Sequence, residues 1–354
     1  METLRPARPA AGPQGPPVPG TIRAKAPLRI SFAGGGTDVM PYPRDHGGCV
    51  LSVTIDLYAW ASLHPRDDVE YQVVAEDGTS ARYTRPEDMV FDGHLDLVKA
   101  CLRHMAGETG LDLHLFCDAP PGSGLGSSSA LVVAMLAAVA EQTHDALTPY
   151  ELADRAYRVE RVDLRQPGGM QDQYCATFGG FNFIEFLDVD RVVVNPLRIP
   201  TGVANELHGS LLLCYTGMTR KSGGILRRQV EGYVTGRRES AQALGRIKTL
   251  TMDLKEALLT GDLESFAAIL NESWHAKKEL AEGITNDRID ELYARAQRAG
   301  ALGGKLLGAG GGGYLLLFCP FERRPAVTEA MEQAGARVVR FHFDERGVQT
   351  WRVP

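Results

Sequence analysis

The sequence predicts an α+β protein of two domains, and three observations carry that prediction. A chain of 354 residues is long for a single hydrophobic core. Its first 200 residues hold alternating strand patterns around one buried helical run, whereas Ile225 to about Glu282 reads as long helices with few breakers beyond Gly261. Strands return after those helices, so the second half interleaves both element types as an α+β sandwich does. The boundary is expected in the irregular stretch from Pro196 to Asn205, giving domains at residues 21–200 and 201–354.

Composition narrows the class. Six prolines and almost no large apolar side chains make residues 1–20 read as a disordered tail, without the apolar run of a secretory signal. A net charge of −6 argues against nucleic-acid and anionic-membrane partners. The longest apolar run, Ala130 to Ala140, is about half of the roughly 20 residues that cross a bilayer. The six cysteines are dispersed without a Cys-x-x-Cys pair, which argues against structural zinc and suits the cytoplasm.

Leu28 to Phe32 alternates as a strand and runs into Ala33-Gly-Gly-Gly-Thr-Asp38, a tight turn open to a ligand. Gly48–Asp56, Tyr58–Leu63 and Val69–Val74 read as further strands, and His94–Ala106 has helical spacing. Leu111 to Leu115 alternates as a half-buried strand. Next comes Pro120-Pro-Gly-Ser-Gly-Leu-Gly-Ser-Ser-Ser-Ala130, and then the helical run. Gly122, Gly124 and Gly126 remove every second side chain, so backbone N–H groups can approach an anion. Ser127, Ser128 and Ser129 open the helix, where hydroxyls can cap N–H groups and the positive helix end favours phosphate. The loop lacks the Lys of one common nucleotide loop and the Gly-x-Gly-x-x-Gly spacing of another.

Thr148-Pro-Tyr-Glu151 is a capping box opening a helix expected from Pro149 to Val162, with Glu160 near its end. Gln166-Pro-Gly-Gly-Met-Gln-Asp-Gln-Tyr174 forces a turn, with Asp172 just beyond it. Gly179–Phe186 and Leu211–Tyr215 read as strands. Thr216 to Gly224 is a small-residue loop carrying Arg220 and Lys221. Asn286–Ala299 is a helix stopped by Gly300. Gly308-Ala-Gly-Gly-Gly-Gly-Tyr314 then enters a buried strand, followed by a helix to Gly335 and a strand from Val338 to Phe343.

Each glycine cluster alone is weak, but in this order they resemble the GHMP kinase superfamily from about Ala26 to Phe318. Within it, Ala26-Pro-Leu-Arg-Ile-Ser-Phe-Ala-Gly-Gly-Gly-Thr-Asp38 is most similar to D-glycero-D-manno-heptose 7-phosphate kinases. Fucokinases have a related opening, and galactokinases carry Glu-His where this chain has Gly35-Gly36. The resemblance implies a two-domain fold with its active site in the interdomain cleft. It also implies phosphoryl transfer from ATP, with Mg2+, to the anomeric hydroxyl of a sugar phosphate.

In that resemblance Asp172 is the catalytic Asp and Arg29 the cation beside it. Gly122, Ser123, Gly124, Leu125, Gly126, Ser127, Ser128 and Ser129 form the phosphate loop. Ser128 and Glu160 are the magnesium ligands, with Ser127 a rival for the serine role. Gly35, Gly36, Thr37, Asp38 and Gly169 bind the sugar, and Ala309 to Gly313 form the third motif. Arg220 and Lys221 are the first candidates for the acceptor's own phosphate and Lys277 the next. The alternatives stay open that Glu160 and Arg161 are a surface ion pair, that Arg29 is exposed, and that Gly310 to Gly313 only pack beneath the phosphate loop. A fucokinase-like sugar 1-kinase, a non-catalytic sugar and ATP sensor and a superfamily decarboxylase are the competing functions, and a homodimer stays open.

Overall fold

A computed structural model describes residues 20–84, 89–104, 110–219 and 223–353. Nearly all of the expected tail, as well as Arg220 and Lys221, lies outside them.

In chain order the elements are β1 (Ile22–Ala33), α1 (Tyr42–His46), β2 (Gly48–Pro65), β3 (Tyr71–Ala75), β4 (Ser80–Tyr83), α2 (Asp96–Arg103), β5 (Leu111–Cys117), α3 (Ser127–Thr143), α4 (Pro149–Arg158), α5 (Gln171–Phe178), β6 (Phe181–Asp188) and β7 (Arg191–Pro196). The chain continues through α6 (Thr201–Ser210), β8 (Leu211–Tyr215), α7 (Gly223–Val234), α8 (Arg238–Thr260), α9 (Leu263–Lys278), α10 (Asp287–Ala299), β9 (Gly303–Leu306), β10 (Tyr314–Phe318), α11 (Arg324–Gln333), β11 (Arg337–Val339) and β12 (Gln349–Arg352).

Two sheets result, one of eight strands in the order β12-β1-β2-β5-β3-β4 with β6 and β7 joined to β2, the other β11-β8-β10-β9. The two strands expected at 48–56 and 58–63 are a single strand of 18 residues. Its length follows from its partners. One edge pairs with β1 along Leu51–Leu63, while the other takes β6 along Gly48–Val53 and β5 along Ala59–Pro65. The stretch expected to be irregular after Pro196 contains α6, in which only Leu207 and Ser210 are buried. With so little apolar surface to bury, that helix shows no 3.6-residue pattern in the sequence.

The expected division at 200/201 falls where α6 begins, but β12 crosses back and pairs with β1, Thr350 opposite Ala24. The core is continuous across the same point. Phe32 of β1 meets Phe266 of α9 edge-on at 5.3 Å between ring centroids, in a cluster that also holds Leu254 and Leu270. The almost wholly apolar α3 lies against β1 and β2 with its valines and leucines largely buried. Each such side chain contributes about 1.5–3 kcal/mol when fully buried, which anchors the start of α3 where the glycine loop delivers it. All six cysteines are free thiols. Among the described residues no helix is long and apolar enough to cross a membrane.

Candidate active site

The cleft where β1, α3 and α5 meet α7, α9 and the glycine turn after β9 holds a cavity. Arg29, Asp38, Gly126, Glu160 and Asp172 line it from one side, with Lys277 and Gly308 among the residues on the other.

At its centre is an ion pair. Arg29 on β1 is 3% exposed, and its Nε donates to Asp172 Oδ1 at 2.8 Å, with Nη2 2.7 Å from the same oxygen. Its Nη1 donates to the Gly124 carbonyl at 2.5 Å. Arg29 therefore faces inward, not to solvent, and ties Asp172 to the glycine loop. Asp172 lies in the first turn of α5, where the helix end favours a carboxylate.

The loop divides its labour. Gly122, Gly124, Gly126, Ser127, Ser128 and Ser129 line the cavity. Ser123 and Leu125 do not: both are fully buried, and they serve through their main chain. The Leu125 carbonyl accepts from Arg29 N at 3.1 Å and the Ser123 carbonyl from Tyr314 N at 3.0 Å. The capping expected of the serines is also absent, because no side chain caps α3. Ser127 Oγ reaches the Pro120 carbonyl at 3.5 Å, whereas Ser128 Oγ and Ser129 Oγ donate to Glu160 at 2.9 and 2.6 Å. Among the described residues the N–H groups of the first turn are thus left without a side-chain partner beside the cavity, an arrangement suited to phosphate oxygens.

Glu160 is 1% exposed, so it is not half of a surface pair. The helix expected to run to Val162 stays α-helical only to Arg158 and widens into a π turn over Val159–Asp163, a feature frequent at functional sites. That turn brings Glu160 onto the two serines, Ser128 on Oε1 and Ser129 on Oε2, with Gln173 Nε2 also donating to Oε2. Gln173 and Arg161, whose side chain is 12% exposed and lines the cavity, are contributors that sequence reasoning did not select.

Asp38, 1% exposed, is pushed above its usual carboxylate range by burial, tempered by the Gly36 N–H and raised again by the charge of Asp172. Gly36 N donates to its Oδ1 at 2.9 Å, and Gln171 N and Nε2 to its Oδ2 at 3.2 and 3.1 Å. Gly169 explains itself here: a Cβ on it would stand 1.9 Å from Asp38 Oδ2. Thr37 is wholly buried, and its hydroxyl is spent on the carbonyls of Gly34 and Cys49, so it builds the turn without facing the cavity. Gly35 is buried, with Gln171 Nε2 and Lys277 Nζ each 3.5 Å from where its Cβ would be. Gly36 borders a smaller adjoining pocket with Tyr42 and Leu280.

The third motif does not only pack beneath the loop: Ala309, Gly310 and Gly312 line the cavity, while its ends pack on the loop. A Cβ on Gly308 would come 2.6 Å from Gly124 Cα, and one on Gly313 2.2 Å from the Ser123 carbonyl oxygen. Two buried lysines come from the same side. Lys277 Nζ donates to the Gly308 carbonyl at 2.5 Å, and burial pulls it down to about 8. Lys305 Nζ donates to the Ser31 and Phe32 carbonyls at 2.8 and 3.0 Å, tying β9 to β1.

Fold and site together define a two-lobed phosphotransferase. Residues 96–180 match the model of the GHMP kinases N terminal domain and residues 254–337 that of the GHMP kinases C terminal. The chain belongs to the GHMP kinase family and is an ATP-using sugar kinase. A D-glycero-alpha-D-manno-heptose 7-phosphate kinase of Campylobacter jejuni is 39% identical, over 94% of this chain and 99% of its own. An L-fucokinase/L-fucose-1-P guanylyltransferase of Bacteroides fragilis is 28% identical over 94% of this chain, which spans 38% of that longer protein. A solved D-glycero-D-manno-heptose 1-phosphate kinase of Bacteroides thetaiotaomicron is 34% identical at a TM-score of 0.78, covering 94% of this chain and 99% of its own.

Proposed function

We propose that this protein transfers the γ-phosphoryl group of ATP to the anomeric hydroxyl of D-glycero-D-manno-heptose 7-phosphate, giving the 1,7-bisphosphate. The observation that carries this reading is the Arg29–Asp172 pair, set between the open helix start of α3 and the buried carboxylate of Asp38. Asp172 orients the acceptor hydroxyl and takes its proton, and Arg29 holds that carboxylate in place. Asp38, fixed by three N–H donors, accepts from sugar hydroxyls, and the loop N–H groups bind the nucleotide phosphates. The relative with the same heptose 7-phosphate name, matched over almost its whole length, supports the choice of acceptor. Six free cysteines fit a cytoplasmic setting.

Magnesium suits the donor set. Ser128 and Glu160 offer a hydroxyl and a carboxylate, hard oxygens that leave room for phosphate oxygens and water. Bound there, the ion would supply charge neutralisation to the polyphosphate. Glu160→Gln is expected to raise the magnesium concentration at half-maximal rate, with excess magnesium restoring turnover. A magnesium titration of the folded variant that overlays wild type would remove Glu160 from that role.

The acceptor is tested by ADP release with the heptose 7-phosphate, the heptose 1-phosphate, free heptose and L-fucose. The 7-phosphate should give by far the highest kcat/KM. Preference for the 1-phosphate would move the acceptor hydroxyl to another carbon, and preference for L-fucose would favour the fucokinase-like reading.

A further inference from the structure

We propose that Arg161 is a further catalytic residue, donating from its two terminal amino groups to nonbridging oxygens of the transferring γ-phosphoryl group. The inference rests on the kinase reading above.

Glu160 and Arg161 lie side by side in the π turn over Val159–Asp163, and both line the same cavity. The guanidinium is held from behind. Its Nε donates to the Gly169 carbonyl at 3.3 Å, and it lies so close over Gly168 that a Cβ there would be 2.3 Å from Cζ. The Pro-Gly-Gly turn is therefore shaped by two charged side chains, Arg161 on its first glycine and Asp38 on its second. Nη1 forms an ion pair with Glu160 Oε1 at 3.6 Å, too long for a hydrogen bond. Among the described residues neither amino group has a hydrogen-bond acceptor, and both belong to a side chain facing the cavity.

The other cations are differently engaged. Arg29 has all three guanidinium nitrogens on Asp172 and Gly124, and Lys277 is a single ammonium held by Gly308. Three carboxylates, Asp38, Glu160 and Asp172, face the cavity, so an incoming polyphosphate needs a cation with hydrogen-bond donors to spare, and Arg161, ion-paired with Glu160 only at 3.6 Å, has them. In the transfer the acceptor oxygen bonds to the γ-phosphorus while the bond to the β–γ bridging oxygen breaks. ADP leaves with that electron pair, and the hydroxyl proton passes to Asp172. Charge on the equatorial oxygens is what a planar guanidinium stabilises.

The test compares Arg161→Gln and Arg161→Lys with wild type in kcat, KM for the sugar phosphate, and calorimetric affinities for magnesium ATP and magnesium ADP. Arg161→Gln should lower kcat by about 10²–10³-fold with KM for the sugar little changed. It should weaken ATP more than ADP, and added guanidinium should restore turnover to Arg161→Ala. If Arg161→Gln does not fold, Arg161→Lys carries the same comparison, with the fork of donors lost and the charge kept. Equal weakening of ATP and ADP, or a rise in the sugar's KM alone, would overturn the proposal; the second result would assign Arg161 to the acceptor's own phosphate. A wild type that phosphorylates none of the sugars yet shows an Arg161-dependent preference for ATP over ADP would sink the acceptor reading and leave this one standing.

Discussion

Asp172→Asn is expected to lower kcat by about 10²–10⁴-fold, the usual worth of general-base assistance, while leaving KM for ATP nearly unchanged. The substitution keeps the shape of the side chain and removes both the charge and the basic oxygen. Arg29 would keep its bond to the Gly124 carbonyl, so the loop should stay in place and nucleotide affinity with it. The loss then belongs to the transition state, appearing equally in kcat and kcat/KM. Residual activity should remain, because orientation and charge stabilisation by the rest of the site survive. Near-normal kcat in a folded Asp172→Asn would sink the base assignment. A loss that excess magnesium rescues would instead make Asp172 a metal-site residue, and Glu160→Gln is the control for that outcome.

The glycine clusters made the site legible because each marks a place where backbone must come close to something. What the sequence could not say was what that something is. Gly124 reads as room for a ligand, and it does border the cavity, but a Cβ on it would meet the Leu307 carbonyl oxygen at 2.5 Å, and one on Gly308 would meet Gly124 Cα at 2.6 Å. Gly169 reads as a turn residue, yet its missing side chain is occupied by Asp38, 131 positions away (169 − 38). Such constraints are tertiary and leave no local pattern. Arg161 was hidden for a different reason. An Arg after a Glu near a helix end looks like a solvated pair, and only the π turn, which propensity does not encode, brings both inward. The C-terminal strand β12 escaped notice because its partner, β1, lies at the other end of the sequence, with Lys25 opposite Gln349.

Lys277→Met is expected to raise the stability of the protein while cutting kcat/KM for the sugar phosphate by about 30- to 10³-fold, the range for truncating one member of a buried charged contact. Lys277 is 7% exposed, and its ammonium is pulled from 10.5 to about 8, first by burial and then by Arg29, against the favourable charges of Asp38 and Asp172. Keeping that ammonium charged in the folded state costs about 3 kcal/mol at neutral pH, at ~1.4 kcal/mol per unit. The sign follows from proton counts. Between pH 8 and 10.5 the unfolded chain holds the proton that the folded chain has lost, so wild-type stability should rise with pH across that window through this group. Lys277→Met should abolish that increment and melt higher at pH 7. Activity should move the other way. Taking Lys277, the candidate next after Arg220 and Lys221, as a contact of the acceptor's phosphate, wild-type kcat/KM should fall as pH rises through about 8, and the loss should lie in KM for the sugar phosphate. Lys277→Met should be low at every pH and lack that alkaline limb, with much less effect on an unphosphorylated sugar. Denaturant melts across pH and initial rates with the heptose and its 7-phosphate provide both readouts. A variant that melts lower and loses activity equally on both sugars would make Lys277 a structural strut beneath Gly308 and not an acceptor contact.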